Sequence, residues 1–318
     1  MALKRRSRPP LRRCRQASAI FRFIAAASLV CGAGSCFALE AVQEVSQADE
    51  ALVKAELLLE TKDFSAPFVA GLRFELAPDW YLYWMNPGDA GLAAEVRWTL
   101  PAGLKAGPLL YPVPEKFVSG GIVAFGYKKE VVLLCTITPG QDFQPGEKTV
   151  LTAEIDWLVC KESCLRGLSR VEVFPLKLRE DDLRRGRGLL SGYRRKLPLP
   201  AGELGFSFGD VEMHRRGYRL EVEVTFAGPA ASRVADFYPY QIEKGTFEHA
   251  GIRVERGRLF VPLSLFDATV SLESFKGLLI VEGPGRERKG YEVEIPLSPS
   301  PRPSPVQGER VFFSSFYE

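Results

Sequence analysis

Thr152-Ala153-Glu154-Ile155-Asp156-Trp157-Leu158-Val159-Cys160-Lys161-Glu162-Ser163-Cys164 reads as a strand that runs directly into a pair of cysteines. Ala153, Ile155, Trp157 and Val159 recur at period two, the pattern of a strand with one buried face. A second strand-like run, 169–178, leaves after Cys164. The two cysteines are therefore expected at the mouth of a hairpin, where strand ends approach to the Cα separation of about 4.4–6.8 Å that a disulfide needs.

The same texture extends on both sides. Runs at 51–59, 68–76, 95–100, 130–137, 149–159 and 170–178 alternate in character. Breakers such as Pro87-Gly88, Pro101-Ala102-Gly103, Pro139-Gly140 and Pro145-Gly146 separate them. Short strands punctuated in this way predict an all-β sandwich or barrel. Residues 179–200 change to a charged composition ending in Leu-Pro-Leu-Pro and read as a linker with room for a short exposed helix. Strand texture resumes at 218–226, 234–242, 258–265, 278–282 and 291–295. The expected organisation is two β domains in tandem, over 39–178 and 201–296. From 297 to 318 a Ser-Pro alternation sustains neither ladder nor helix, so a disordered tail or a coding accident is expected there.

The N-terminus sets the compartment. Residues 1–22 carry eight Lys or Arg and no acid, and an apolar run from Phe23 to Val30 and small residues up to Ala38 follow. That order predicts a secretory signal over 1–38 and an exported protein; a retained anchor is the alternative, although the apolar run is short for a bilayer span. The whole chain has 42 basic and 39 acidic residues; without the eight basic ones of the signal, 34 face 39, a net of −5. The basicity thus belongs to the targeting segment, and nothing in the remainder argues for nucleic acid. Three of the six cysteines fall inside the signal, leaving Cys135, Cys160 and Cys164, so one thiol lacks a partner within the chain.

A bridge across a spacer of three residues closes a small loop, worth only about 2 kcal/mol on the chain-entropy estimate, against ~4–5 for a long-range bridge. A bond that constrains so little is suited to being made and broken. The spacing alone leaves a structural staple equally open, since disulfides of exported domains are mostly structural. Copper binding would need a third ligand, and the two histidines, His214 and His249, both lie in the second unit. The first unit has no histidine to serve a nucleophilic cysteine as base, which argues against Cys-His hydrolysis. Cys135, within Val131-Val132-Leu133-Leu134-Cys135-Thr136-Ile137, is expected to be a buried core residue. In Trp80-Tyr81-Leu82-Tyr83-Trp84, period two places Tyr81 and Tyr83 on one face and Trp80, Leu82 and Trp84 on the other.

Asp79-Trp80-Tyr81-Leu82-Tyr83-Trp84-Met85-Asn86-Pro87-Gly88-Asp89-Ala90-Gly91 and the stretch from Asp156 to Cys164 together resemble the amino-terminal periplasmic domain of the DsbD family of thiol:disulfide interchange proteins, and most closely its ScsB-like branch, associated with suppression of copper sensitivity. Tyr111-Pro112-Val113-Pro114-Glu115-Lys116-Phe117 fits the same pattern. The resemblance implies two tandem immunoglobulin-like β-sandwiches and a thiol-disulfide electron carrier that uses no cofactor and no metal. Its implied partners are a membrane-embedded thiol reductant, here acting in trans, and periplasmic thioredoxin-like proteins. It further implies that Cys160 and Cys164 are the redox pair, with Cys164 as the exchanging sulfur, that Tyr81 and Tyr83 surround them, and that Phe117 caps the disulfide. The alternative is a copper- or protein-binding sandwich whose Cys160–Cys164 bridge is merely structural. The sequence departs from the family in Leu165-Arg166 after the second cysteine and in having the Pro/Ser-rich tail where a membrane domain normally follows.

Overall fold

The structure, a computed structural model, describes residues 52–297 apart from 142, 206, 284 and 286. The signal segment 1–38 and the tail from 298 onward lie outside the described residues.

Ten strands build the first sandwich: β1 (Val53–Leu59), β2 (Phe68–Leu76), β3 (Tyr81–Gly88), β4 (Glu95–Thr99), β5 (Leu104–Leu110), β6 (Glu115–Ser119), β7 (Ile122–Lys128), β8 (Glu130–Pro139), β9 (Leu151–Cys160) and β10 (Cys164–Val173). One sheet has the order β1-β2-β8-β5 and the other β10-β9-β3-β7-β6, with β4 also on β9. Pairing within both sheets is antiparallel. The fold is an all-β, immunoglobulin-like sandwich, as the strand texture predicts. The runs at 68–76, 95–100 and 130–137 lie on β2, β4 and β8 almost residue for residue. β5 went unread because it contains Gly107-Pro108; its ladder to β8 shifts register between Ala106 and Leu109, and as an edge strand it tolerates the proline. The strand expected at 169–178 instead starts at Cys164 and ends at Val173, because the bond to Cys160 opposes the two cysteines and the ladder begins there.

The alternation in β9 decides which face each residue takes. Leu151, Ala153, Ile155, Trp157 and Val159 are all 1% exposed or less and point into the core. Cys160, one residue out of phase, falls on the outer face of its sheet. Opposite Trp157 on β10 stands Gly167, where a Cβ would lie 2.3 Å from the indole ring, so only glycine lets the hairpin close over this tryptophan.

Residues 179–200 are not an exposed linker. They contain a helix, α1 (Glu180–Arg194), whose Leu183, Gly186, Leu190 and Tyr193 are buried. These four lie three, four and three residues apart, a single helical stripe hidden among arginines and acids. The stripe packs on β1, β2 and β8. Gly186 sits so close to β1 that a Cβ would meet the Leu59 carbonyl oxygen at 2.2 Å, and Tyr193 donates to the Glu130 carbonyl at 3.0 Å.

The second sandwich comprises β11 (Leu199–Pro200), β12 (Ser207–Arg216), β13 (Arg219–Ala227), β14 (Val234–Pro239), β15 (Gly245–Phe247), β16 (Arg253–Glu255), β17 (Arg258–Leu265), β18 (Ser274–Glu282) and β19 (Arg288–Pro296). Its sheets run β11-β19-β18-β14 and β12-β13-β17-β15, with β16 on β17. Leu297, placed by its sequence in the tail, is 3% exposed and belongs to this core. The two sandwiches share buried surface. Tyr238, Leu278 and Ile280 join the core of the first, with the Phe125 and Tyr238 ring centroids 4.6 Å apart. Asn86 Nδ2 donates to the Pro239 carbonyl at 2.6 Å, and Lys116 pairs with Asp236 at 3.0 Å.

Candidate disulfide exchange site

Cys160 and Cys164 are joined by a disulfide, their Cα atoms 4.1 Å apart. They are direct partners at the turn end of the β9–β10 hairpin, whose ladder continues without a shift to Val173↔Leu151. The hairpin is already closed by that ladder, so the bond adds little constraint. The two sulfurs sit differently. Cys160 is 2% exposed, whereas Cys164 is exposed at the start of the edge strand β10.

Cys160 is covered by the outer face of β3. Tyr81 is its ladder partner, and Tyr83 reaches over from two residues further on. The Tyr83 hydroxyl donates to Cys160 Sγ at 3.0 Å, lies 3.8 Å from Cys164 Sγ and 3.5 Å from the Tyr81 hydroxyl. The opposite face of β3 carries Leu82 and Trp84 into the core, at 0% and 1% exposure. Burial, and secondarily the neighbouring Tyr81 hydroxyl, raise the pKa of Tyr83 well above that of an ordinary tyrosine. Its O–H proton therefore stays in place at physiological pH and remains available to a sulfur.

Phe117 arrives from the β6–β7 hairpin. Gly120 and Gly121 turn that hairpin with φ of 59° and 84°, positive at both positions as a two-residue turn of this hand requires. Phe117 then stands opposite Ala124 with its ring centroid 4.9 Å from that of Tyr81. Tyr81, Phe117 and Leu158 pack around the small buried cluster of Tyr83, Ala124 and Cys160. Lys128 places its ammonium 4.6 Å above the Phe117 ring, and Lys161 pairs with Asp79 at 3.1 Å. Tyr81, Tyr83, Phe117, Cys160 and Cys164, each singled out in the sequence, are thus brought to one place. Ala124 and Lys128 were not foreseen, because nothing local in the sequence announces their cross-strand neighbours.

Cys135 is separate from this cluster. It is 1% exposed on β8, within the core, and is a free thiol. It donates to the Gly107 carbonyl at 3.3 Å, and burial pushes its pKa up to about 11. Among the described residues one group has metal-ligand geometry, Glu212, His214 and Glu223 on the β12–β13 pair. It includes no cysteine, and Glu223 is engaged by Arg258 at 2.6 Å.

A β-sandwich that carries a strand-end disulfide on a sheet's outer face, one sulfur buried under a tyrosine hydroxyl and the other exposed, defines the class of protein at hand. Residues 50–175 match the family described as thiol:disulfide interchange protein DsbD, N-terminal. No curated protein matches the chain. Among solved structures, the N-terminal periplasmic domain of ScsB from Proteus mirabilis superposes with a TM-score of 0.54 at 18% identity, covering 77% of this chain and 92% of that one; the likeness shows a shared fold. Spo0M, a sporulation control protein from Bacillus subtilis, covers 77% of this chain and 90% of its own at 10% identity, with a TM-score of only 0.19.

Proposed function

We propose that Cys160–Cys164 is a redox-active disulfide and that the protein is an exported, periplasmic dithiol/disulfide carrier. It accepts reducing equivalents from a membrane-embedded thiol reductant and delivers them to thioredoxin-like proteins. The observation that carries this reading is the asymmetry of the pair: an exposed Cys164 beside a buried Cys160 that accepts a hydrogen bond from Tyr83.

The asymmetry assigns a role to each sulfur. In the reduced protein the Cys164 thiolate attacks the partner's disulfide; a Cys164–partner S–S bond forms and the partner's second sulfur leaves as thiolate. Cys160 thiolate then attacks Cys164, closing the internal disulfide and releasing the partner as a dithiol. Recharging runs in reverse, with the reductant's thiolate attacking the accessible Cys164 and Cys160 leaving. A leaving thiolate that accepts a hydrogen bond leaves more readily, because a lower thiol pKa speeds departure. The Tyr83 hydroxyl meets that need, a hydrogen bond to a charged group being worth about 1.5–3 kcal/mol. Tyr81 and Phe117 shield Cys160 from adventitious oxidants and offer an apolar surround to a docking protein.

A redox titration against glutathione tests the reading. A carrier has a potential above about −300 mV, whereas a lower value marks a structural bond, the outcome that overturns the proposal.

A further inference from the structure

The site is held partly from the other sandwich, through the segment that follows β3. Resting on the exchange reading above, we propose that His249 of the second sandwich is a positioning residue for the Cys160–Cys164 site, acting through Asp89 and Gly91 on the ring of Tyr83. The contacts form an unbroken chain. His249 Nδ1 lies 2.8 Å from Asp89 Oδ1. The other carboxylate oxygen, Oδ2, accepts the Val123 N–H at 2.7 Å, and the Asp89 N–H donates to the Val123 carbonyl at 2.8 Å. Two residues on, Gly91 adopts φ +116° and lies on the Tyr83 ring so closely that a Cβ there would be 2.3 Å from its carbons. Tyr83 in turn donates to Cys160 Sγ.

Three features argue that this contact does more than hold two domains together. His249 is 5% exposed, and Nε2 is buried without a hydrogen-bond partner among the described residues. A buried imidazole with a single hydrogen bond is a poor source of stability, since desolvation of its second nitrogen is not compensated. Its surroundings fix it firmly, with ring centroids 5.5 Å from Phe125 and 6.2 Å from Phe247. A cleft of about 400 Å³ lies beside the segment it grips, lined by Asn86, Gly88, Asp89, Thr246 and His249 among others. Asn86 adds a second tie, its Oδ1 accepting the Gly88 N–H at 3.1 Å while its Nδ2 bonds to Pro239. Burial lowers the pKa of His249 against the opposing pull of Asp89. The ring is accordingly neutral, and the carboxylate holds its one proton on Nδ1.

The test uses the full chain in its oxidised form and follows the rate of its reduction by dithiothreitol, together with the equilibrium constant of the pair in glutathione buffers. His249→Phe keeps a ring against Phe125 but removes the donor, and is expected to slow the reaction about fivefold and shift the glutathione equilibrium by a similar factor, as expected for a weakened hydrogen bond to sulfur. His249→Asn restores an N–H at the Nδ1 position and is expected to recover the rate. The His249→Phe/Tyr83→Phe double variant is expected to be no slower than Tyr83→Phe alone, the non-additivity of residues acting in series. A rate and equilibrium unchanged in His249→Phe, effects additive with Tyr83→Phe, or no recovery in His249→Asn each overturn the proposal. Should His249→Phe fail to fold, Asp89→Asn must produce the same slowing, and an unaltered rate in that variant overturns the proposal equally. If glutathione does not reduce the pair at all, the carrier reading fails, while the rates of reduction by dithiothreitol still decide whether His249 acts on the site.

Discussion

Cys160 and Cys135 are almost equally buried, at 2% and 1% exposure, yet their surroundings prepare them for opposite fates. Cys135 lies inside the first sandwich, where its sulfur gives a hydrogen bond to a carbonyl and burial raises its pKa to about 11. Cys160 lies on the outer face of the neighbouring sheet, where its sulfur receives a hydrogen bond and is bonded to an exposed partner. On the proposed reading, burial by itself does not make a cysteine inert. The direction of the hydrogen bond and the access of the bonded partner set the difference, since a donor aimed at sulfur favours thiolate and an acceptor aimed at the thiol proton opposes it.

The comparison is broken most severely by removing a sulfur of the pair. Cys164→Ser is expected to abolish transfer to a thioredoxin-like partner, while Cys160→Ser accumulates a mixed disulfide through Cys164, seen as a reducible adduct by mass spectrometry. If the trapped adduct forms through Cys160 in the Cys164→Ser variant instead, the two roles are reversed. Next in size is Tyr83→Phe, which deletes the donor and keeps the ring. The departing Cys160 thiolate then loses about 1.5 kcal/mol or more of stabilisation, and reduction of the oxidised protein by dithiothreitol is expected to slow about tenfold; a rate within twofold of the parent removes the hydroxyl from the mechanism. Phe117→Ala opens the surround and is expected to speed reduction of the oxidised protein by dithiothreitol about threefold through better access. An unchanged rate there means that Phe117 shields nothing.

Cys135 gives the smallest effect on exchange, which is none. Cys135→Ala should transfer electrons at the parental rate, and alkylation of Cys135 in the folded protein should be negligible at pH 8, where a group with a pKa of about 11 is only about one part in a thousand thiolate. Its contribution appears in stability. The folded pKa is raised from 9.0 to about 11, so the folded state holds its proton more tightly than the unfolded one. The stabilisation is complete below pH 9 and is lost as pH rises through about 11, by about 2–3 kcal/mol in all. Urea denaturation from pH 8 to 11 should show a larger loss in the parent than in Cys135→Ala; parallel curves contradict it.

Much of this was legible in local sequence. Period two in 152–159 fixed which side of its strand each residue takes, and so placed Cys160 opposite Trp157 and Val159. The same period separated Tyr81 and Tyr83 from Leu82 and Trp84. The adjacency of Cys160 and Cys164, the hairpin around them and the burial of Cys135 in an unbroken apolar run all follow from neighbours within a few residues. Even α1 was present as the stripe Leu183, Gly186, Leu190 and Tyr193, although its dense charges disguised it as a linker.

Contacts between residues far apart in the chain were not legible. Tyr83 and Cys160 are 77 positions apart, Lys116 and Asp236 are 120, and Asp89 and His249 are 160. A polar residue carries no mark of its partner, because hydrogen bonds and ion pairs depend on where two strands finally lie and not on the residues beside each member. The sequence by itself determined the strands that carry and flank the sulfur pair, their faces and the identity of that pair, since those depend on periodicity and near neighbours. Only the tertiary structure decided that one sulfur is covered and the other open, that a tyrosine hydroxyl points at the covered one, and that a histidine of the second sandwich grips the segment packed on that tyrosine, because each requires sheets and domains to have been brought together in space.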